Sequence, residues 1–268
     1  MFIDKVYNYI QEKYNAEFGE LVITEVRIGV FLAAVRLSND LVGVASVINN
    51  DEIHQVEKKD RDFGQFSPLH IIGYKVSDLF EFSKNTALTQ ILKIAVLNVY
   101  FNGILNSGEY NYIKKTDPID IIELNDYNNI VMVGAFNSYI RKISESGCNL
   151  RVLELDENAF MPHHKKFYVP ADQYKNILPE ADLIIVTGLT LVNNTFDDLL
   201  KYIPKESMSV VIGPSASMVP DIFFRNDINM IGGTLITDVD KLFQLVSQGA
   251  AGYHLFEYCA EKITLINE

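Results

Sequence analysis

The chain has 268 residues, 48% of them hydrophobic and 22% charged, which allows one large or two ordinary globular units with an ample core. A formal charge of -12 and a pI near 4.9 argue against nucleic-acid partners, whose binding draws most of its affinity from Lys and Arg on phosphates. Cys148 and Cys259 are far apart and in no metal-type spacing, so no disulfide framework is expected and a reducing, cytoplasmic compartment is.

Residues 1–10 contain no continuous apolar run of the kind a signal peptide needs. The most apolar stretch, 91–105, is interrupted by Lys93, Asn98 and Asn102 and reads as too short and polar to span a bilayer, so no membrane partner is expected. Residues 2–17 carry Ile3, Val6, Ile10 and Tyr14 at helical spacing and predict an amphipathic helix. Residues 22–28, 30–35 and 41–48 are β-rich, with an Asn39-Asp40 turn between the last two, and predict an antiparallel meander. The mixed charges of 51–62 predict a solvated loop, and His54 and His70 read as surface or turn residues.

Helices are predicted near 76–83 and 86–102. Asn98 stands there among Ala95, Val96, Leu97 and Val99, either as a satisfied buried amide or as a residue lining a cleft. Gly108, Pro118 and the surrounding polar residues place a linker at 107–117, dividing the chain into an α+β unit over 1–110 and an α/β unit over 118–268. In the second unit, apolar runs at 130–133, 150–155, 183–186, 210–212 and 228–231 alternate with helical segments such as 138–145 and 196–203. Such alternation implies right-handed crossovers and a doubly wound parallel sheet, which binds ligands along the carboxyl edge of its strands.

That edge carries the candidate site. The strand Ile184, Ile185, Val186 stops at Thr187-Gly188, and Thr190, Asn193, Asn194 and Thr195 follow before a helix near Phe196, an arrangement suited to an anion or a polar head group. A capping box from Thr195 to Asp198 explains Thr195 but not Thr190 or Asn193. Gly134 and Phe136 follow the first strand, Gly213 and Ser215 the fourth, and the glycine pair at 232–233 the fifth. Glu154 lies twenty positions after Gly134, the spacing of the acid that holds a ribose in dinucleotide folds, but Ala135, Phe136 and Asn137 stand where further glycines belong. Ser215 and Ser217 lie in no G-x-S-x-G. The adjacent His163 and His164 read as exposed, and nothing in the spacing requires them to join Glu154, Asp156 or Asp238 in a metal site.

Residues 130–136, 178–195, 213–215 and 231–233 resemble the family described as "Putative heavy-metal chelation", formerly a domain of unknown function; residues 28–30, 43–45 and 95–98 resemble that family's smaller domain. The resemblance implies a Rossmann-like α/β domain joined to an enolase-N-terminal-like α+β domain, with a pocket between them and a role in binding heavy metal. Together these readings predict a small-ligand-binding protein whose interdomain pocket takes a polar or anionic molecule, a transition-metal ion or a metal chelate. Thr187, Gly188, Thr190, Asn193, Gly213 and Ser215 supply donors in that reading, Gly134 and Phe136 a wall, and Asn98 a contribution from the small unit. The alternative is a transferase or lyase using a nucleotide or S-adenosylmethionine, with Glu154 on a ribose.

Overall fold

A computed structural model describes residues 1–48, 69–82 and 86–267; the charge run at 51–62 and His54 lie outside the described residues. The amphipathic helix α1 (Phe2–Lys13) buries Phe2, Ile3, Val6 and Ile10. Strands β1 (Ile23–Ile28), β2 (Leu32–Leu37) and β3 (Val42–Ser46) form the expected antiparallel meander, in that order across the sheet. Asp40 turns the last hairpin at φ 62°, a left-handed conformation that Asp tolerates better than most residues.

Helices α2 (Val76–Glu81), α3 (Ala87–Leu97) and α4 (Phe101–Leu105) follow, with the Thr86 hydroxyl capping α3 by accepting from Thr89 N–H (3.1 Å). The helical run Ala87–Leu105 has 19 residues and a mean hydropathy of 1.4, long and apolar enough to cross a membrane, contrary to the expectation from its polar interruptions. It is a core element: every residue from Thr89 to Leu97 is buried. The reason is that α3 packs against the meander and shares one hydrophobic core with the second sheet.

That second sheet has eight strands: β4 (Tyr112–Lys114), β5 (Asn129–Val133), β6 (Asn149–Glu154), β7 (Tyr168–Pro170), β8 (Leu183–Thr187), β9 (Met208–Ile212), β10 (Met230–Ile236) and β11 (Ala260–Ile266). Their spatial order is β4-β11-β10-β9-β8-β5-β6-β7. The six from β10 to β7 are parallel, and β11 and β4 close one edge antiparallel. This is the doubly wound Rossmann-like α/β sheet, preceded by the smaller α+β unit. Alternation along β5 shows why its apolar run is unbroken: Val131 and Val133 join the core shared with α1 and α3, whereas Ile130 and Met132 face α5 (Pro118–Ile121) and α6 (Asn137–Ser146).

Two departures from the sequence reading matter. The stretch 107–117 is not all linker, because β4 pairs with β11. Gly232 and Gly233 are not a loop but the middle of β10, where a Cβ on Gly233 would stand 2.3 Å from the Phe101 ring and one on Gly232 2.9 Å from Pro118. After β10, α11 (Val239–Ser247) and α12 (Gly252–Tyr258) turn back over the outer face of the meander, burying Leu242, Phe243, Val246 and Leu255 against Leu32, Ala34 and Val44.

The two sheets are stitched through hydrogen bonds. Asn98 donates both amide protons, to Val44 O (2.7 Å) and Pro214 O (3.0 Å). Ser46 N–H donates to Ser215 Oγ (2.8 Å), and Gln90 Nε2 to Leu191 O (2.8 Å). At the far end of α1, the Asp221 carboxylate on α10 (Pro220–Phe224) accepts from the hydroxyls of Tyr9 and Tyr110. Burial pushes that carboxyl up, but the hydrogen bonds from Tyr110 and Tyr9 and the Lys13 charge outweigh it and hold it below the usual range. Tyr9 and Tyr110 are raised, first by burial and then by the same carboxylate.

These contacts make two predictions. A Cβ at Gly43 would lie 2.0 Å from Ala95 O, a backbone atom of α3. Gly43→Ala is therefore expected to destabilise the chain by about 1–3 kcal/mol, seen as a lower urea midpoint at unchanged slope. The Asp221 contribution is complete above the unfolded carboxyl value of about 3.9 and is lost as pH falls through the depressed folded value; the tyrosine contribution is complete below about 10 and is lost as pH rises through their raised values. Asp221→Asn should flatten stability against pH at the acid end, and Tyr9→Phe with Tyr110→Phe at the alkaline end, in equilibrium unfolding across pH.

Candidate functional site

From β5 the chain moves outward through β6 and β7, then returns to β8 on the other side of β5. The strand order therefore reverses between β5 and β8, and the loops after these strands diverge to leave a crevice at their carboxyl ends. A cavity of about 730 Å³ lies there. Val133, Leu153 and Thr187, at or near the ends of β5, β6 and β8, border it from the large sheet, and Phe31, Val47 and Ile48 border it from the meander.

Each loop around the crevice is shaped by its own hydrogen bonds. Gly134 takes φ 97°, and a Cβ on it would meet Thr187 Cγ2 at 2.8 Å, so the β5 loop leans on β8. Glu154 holds the same loop, with Oε2 accepting from Ala135 N–H (2.8 Å) and Oε1 from Leu155 N–H (2.7 Å) and Asp156 N–H (3.3 Å). After β8, Thr187 Oγ1 accepts from Leu189 N–H (3.2 Å), and Thr190, on the short helix α8 (Leu189–Val192), donates its hydroxyl to Thr187 O (2.6 Å). Asn193 Oδ1 accepts from both the N–H and the hydroxyl of Thr195 (3.2 and 2.6 Å). The capping box expected between Thr195 and Asp198 is not formed. Asp198 instead accepts from Tyr174 and from Lys201 Nζ (2.9 Å), and these bonds, Tyr174's first, hold its carboxyl below the usual range.

Among the residues singled out in the sequence, Gly134, Phe136, Glu154, Thr187, Thr190 and Asn193 border this cavity. Gly213 borders a second cavity of about 520 Å³, which Phe136 separates from the first. Asn98, Gly188 and Ser215 border neither. Asn98 and Ser215 are 3% and 0% exposed and serve the seam between the sheets, while a Cβ on Gly188 would stand 2.8 Å from Ala216 N. The sequence reading missed the apolar wall from the meander and the acids Asp172 and Asp198. The apolar pair Val30 and Phe31 at a turn, 52% and 47% exposed, was the one legible trace of that wall.

The donor set for a bare soft metal ion is absent: among the described residues no group of three or more His, Cys, Asp and Glu side chains is placed to hold a metal. Cys148, just before β6, donates to Leu124 O (3.3 Å) at the opposite end of the strands. Cys259 is 1% exposed in the core, where burial pushes its thiol up to about 11. His163 and His164 border neither cavity. His164 is buried rather than exposed, its Nδ1 3.3 Å from Asn137 Oδ1, and burial with the nearby His163, Lys166 and Arg141 lowers its pKa.

Known proteins share this architecture. A DUF364-family protein of unknown function from Pyrococcus horikoshii superposes with a TM-score of 0.77 at 15% identity, over 99% of this chain and 100% of its own. Another from Desulfitobacterium hafniense gives 0.68 at 17% identity, over 97% and 99%. In sequence, an uncharacterized protein of Methanocaldococcus jannaschii is 27% identical over 173 residues, which are 64% of this chain and 62% of that protein. A family model described as "Putative heavy-metal chelation" matches residues 117–265, and a second model of the same description matches residues 11–101. The chain belongs to this "Putative heavy-metal chelation" family.

Proposed function

We propose that the chain is a binding protein whose switch-point crevice takes a small uncharged or positively charged molecule, including a cationic metal chelate. The observation that carries this reading is the charge of the lining. Glu154, Asp156, Asp172 and Asp198 border the cavity, and no Lys, Arg or His among the described residues does. The anion suggested by the polar run after β8 is disfavoured by those carboxylates and by the engagement of Leu189 N–H and Thr195 N–H with neighbouring side chains. Phe31, Val47, Ile48 and Phe136 give the ligand an apolar surface to cover, as small-molecule sites generally do.

In this reading a heavy metal enters with its donors already supplied by an organic ligand, because no thiolate or imidazole cluster is placed to hold it among the described residues. The ribose role for Glu154 loses ground for a related reason: three backbone N–H groups already bond its carboxylate. We therefore place the binding role ahead of the nucleotide-dependent enzyme.

Thermal unfolding tests the proposal with copper(II) supplied as the free ion, as the cationic bipyridine complex and as the anionic EDTA complex. A ligand at a hundredfold excess over Kd adds about 2.7 kcal/mol, or roughly 5–10 °C at this size. The cationic chelate is expected to raise Tm; an equal rise with the free ion or with the anionic complex sinks the reading. Phe31→Ala should leave the melting temperature of the free protein almost unchanged, since Phe31 is 47% exposed. It should weaken the same complex roughly tenfold in a calorimetric titration.

A further inference from the structure

We infer that the second cavity, of about 520 Å³, is a separate binding site for a flat, uncharged nitrogen heterocycle of nucleobase type. It lies on the α6 face of the large sheet, beneath α12, and among the described residues draws no wall from before Thr116. Two observations point to a ligand independently of the crevice. Tyr139 on α6 and Thr234 on β10 both border the cavity, are 4% and 2% exposed, and carry hydroxyls without a hydrogen-bond partner. A buried polar group left unpaired costs about 1–3 kcal/mol, so two on residues lining one cavity are groups that a ligand would satisfy after a small side-chain rotation.

The second observation is the pairing of donor and acceptor on the wall. Lys262 is the cross-strand partner of Thr234 on β11, and its ammonium donates to the Asp117 carboxylate at 2.7 Å. The pair neutralises itself, so it selects for no ligand charge, yet it presents a donor beside an acceptor. A heterocycle edge that alternates acceptor and donor matches both, as nucleobase edges do. Phe256, whose ring lies 5.3 Å from Lys262 Nζ, and Phe136 add apolar surface for the ring faces. Gly213 and Gly252 keep the space open, with no atom closer than 4.0 Å to a Cβ built on either.

The test is a saturation-transfer NMR titration of the full chain with adenine, guanine, cytosine and uracil. At least one base is expected to bind at millimolar concentration or below, and Tyr139→Phe with Thr234→Val to weaken it about tenfold. If the hydroxyls were merely trapped, their removal would leave the protein as stable or more stable and the titration unchanged. The exposed rim position Ser138 gives a second variant with little risk to folding, Ser138→Trp, which is expected to block the base by filling the entrance. The Tm rise from the cationic copper chelate in the crevice should survive both variants, which separates this site from the first. Failure of all four bases to bind, or binding indifferent to both variants, overturns the inference.

Discussion

The Asn98 amide is the constraint on which the rest of the architecture turns. Its two protons bridge Val44 O in the meander and Pro214 O in the loop after β9, from a position at the carboxyl end of α3. A backbone carbonyl buried without a donor is costly, so this one side chain makes the register of the small sheet against the large one energetically specific. Ser215 reinforces the same junction from the other side by accepting from Ser46 N–H. Gly43 lets β3 approach α3 until a methyl group would touch the Ala95 carbonyl. The seam is polar where it is directional and close-packed where it is not.

That seam explains why a crevice exists at all. With the meander pinned near β9, its β1–β2 turn and the residues after β3 overhang the ends of β5 and β8, where the strand order reverses and the sheet cannot close the gap itself. The loops beneath are held by contacts local to the carboxyl edge. Glu154 splints the β5 loop, and the Thr187, Thr190 and Asn193 side chains lock the turn after β8. Polar residues that looked in sequence like free donors are therefore partly engaged in shaping the cavity, and its character comes from carboxylates set against an apolar wall.

The legible parts of the chain were those in which local pattern and tertiary demand agree. The runs at 130–133 and 183–186 are buried on both faces, so their strands and parallel setting could be read directly, and the Asn39-Asp40 turn announced its hairpin. The three-residue strands β4 and β7 carry too few residues for a period to register. Gly232 and Gly233 read as a break because glycine pairs usually are one, whereas here Phe101 and Pro118 need the space above a continuous strand. For the site, the carboxyl-edge residues were visible as a class, but the strand order that decides which of them meet was not. Asn98 could be identified as unusual, yet its partners lie 54 and 116 positions away.

Electrostatics links the whole chain to the crevice. A net charge of -12 produces a field that draws cations and repels anions, and a low-dielectric cleft lined by carboxylates focuses it. Such a field enriches any cation near the mouth and so supplies little discrimination; a bare hydrated metal ion would be attracted but would find no converging cluster of metal ligands among the described residues to replace its water. In the binding role proposed for the crevice, discrimination comes from the opposite wall, where Phe31, Val47 and Ile48 would reward a molecule that carries apolar surface with its charge. The two walls come from different sheets, so the recognition proposed here would depend on their relative placement, which the Asn98 seam maintains.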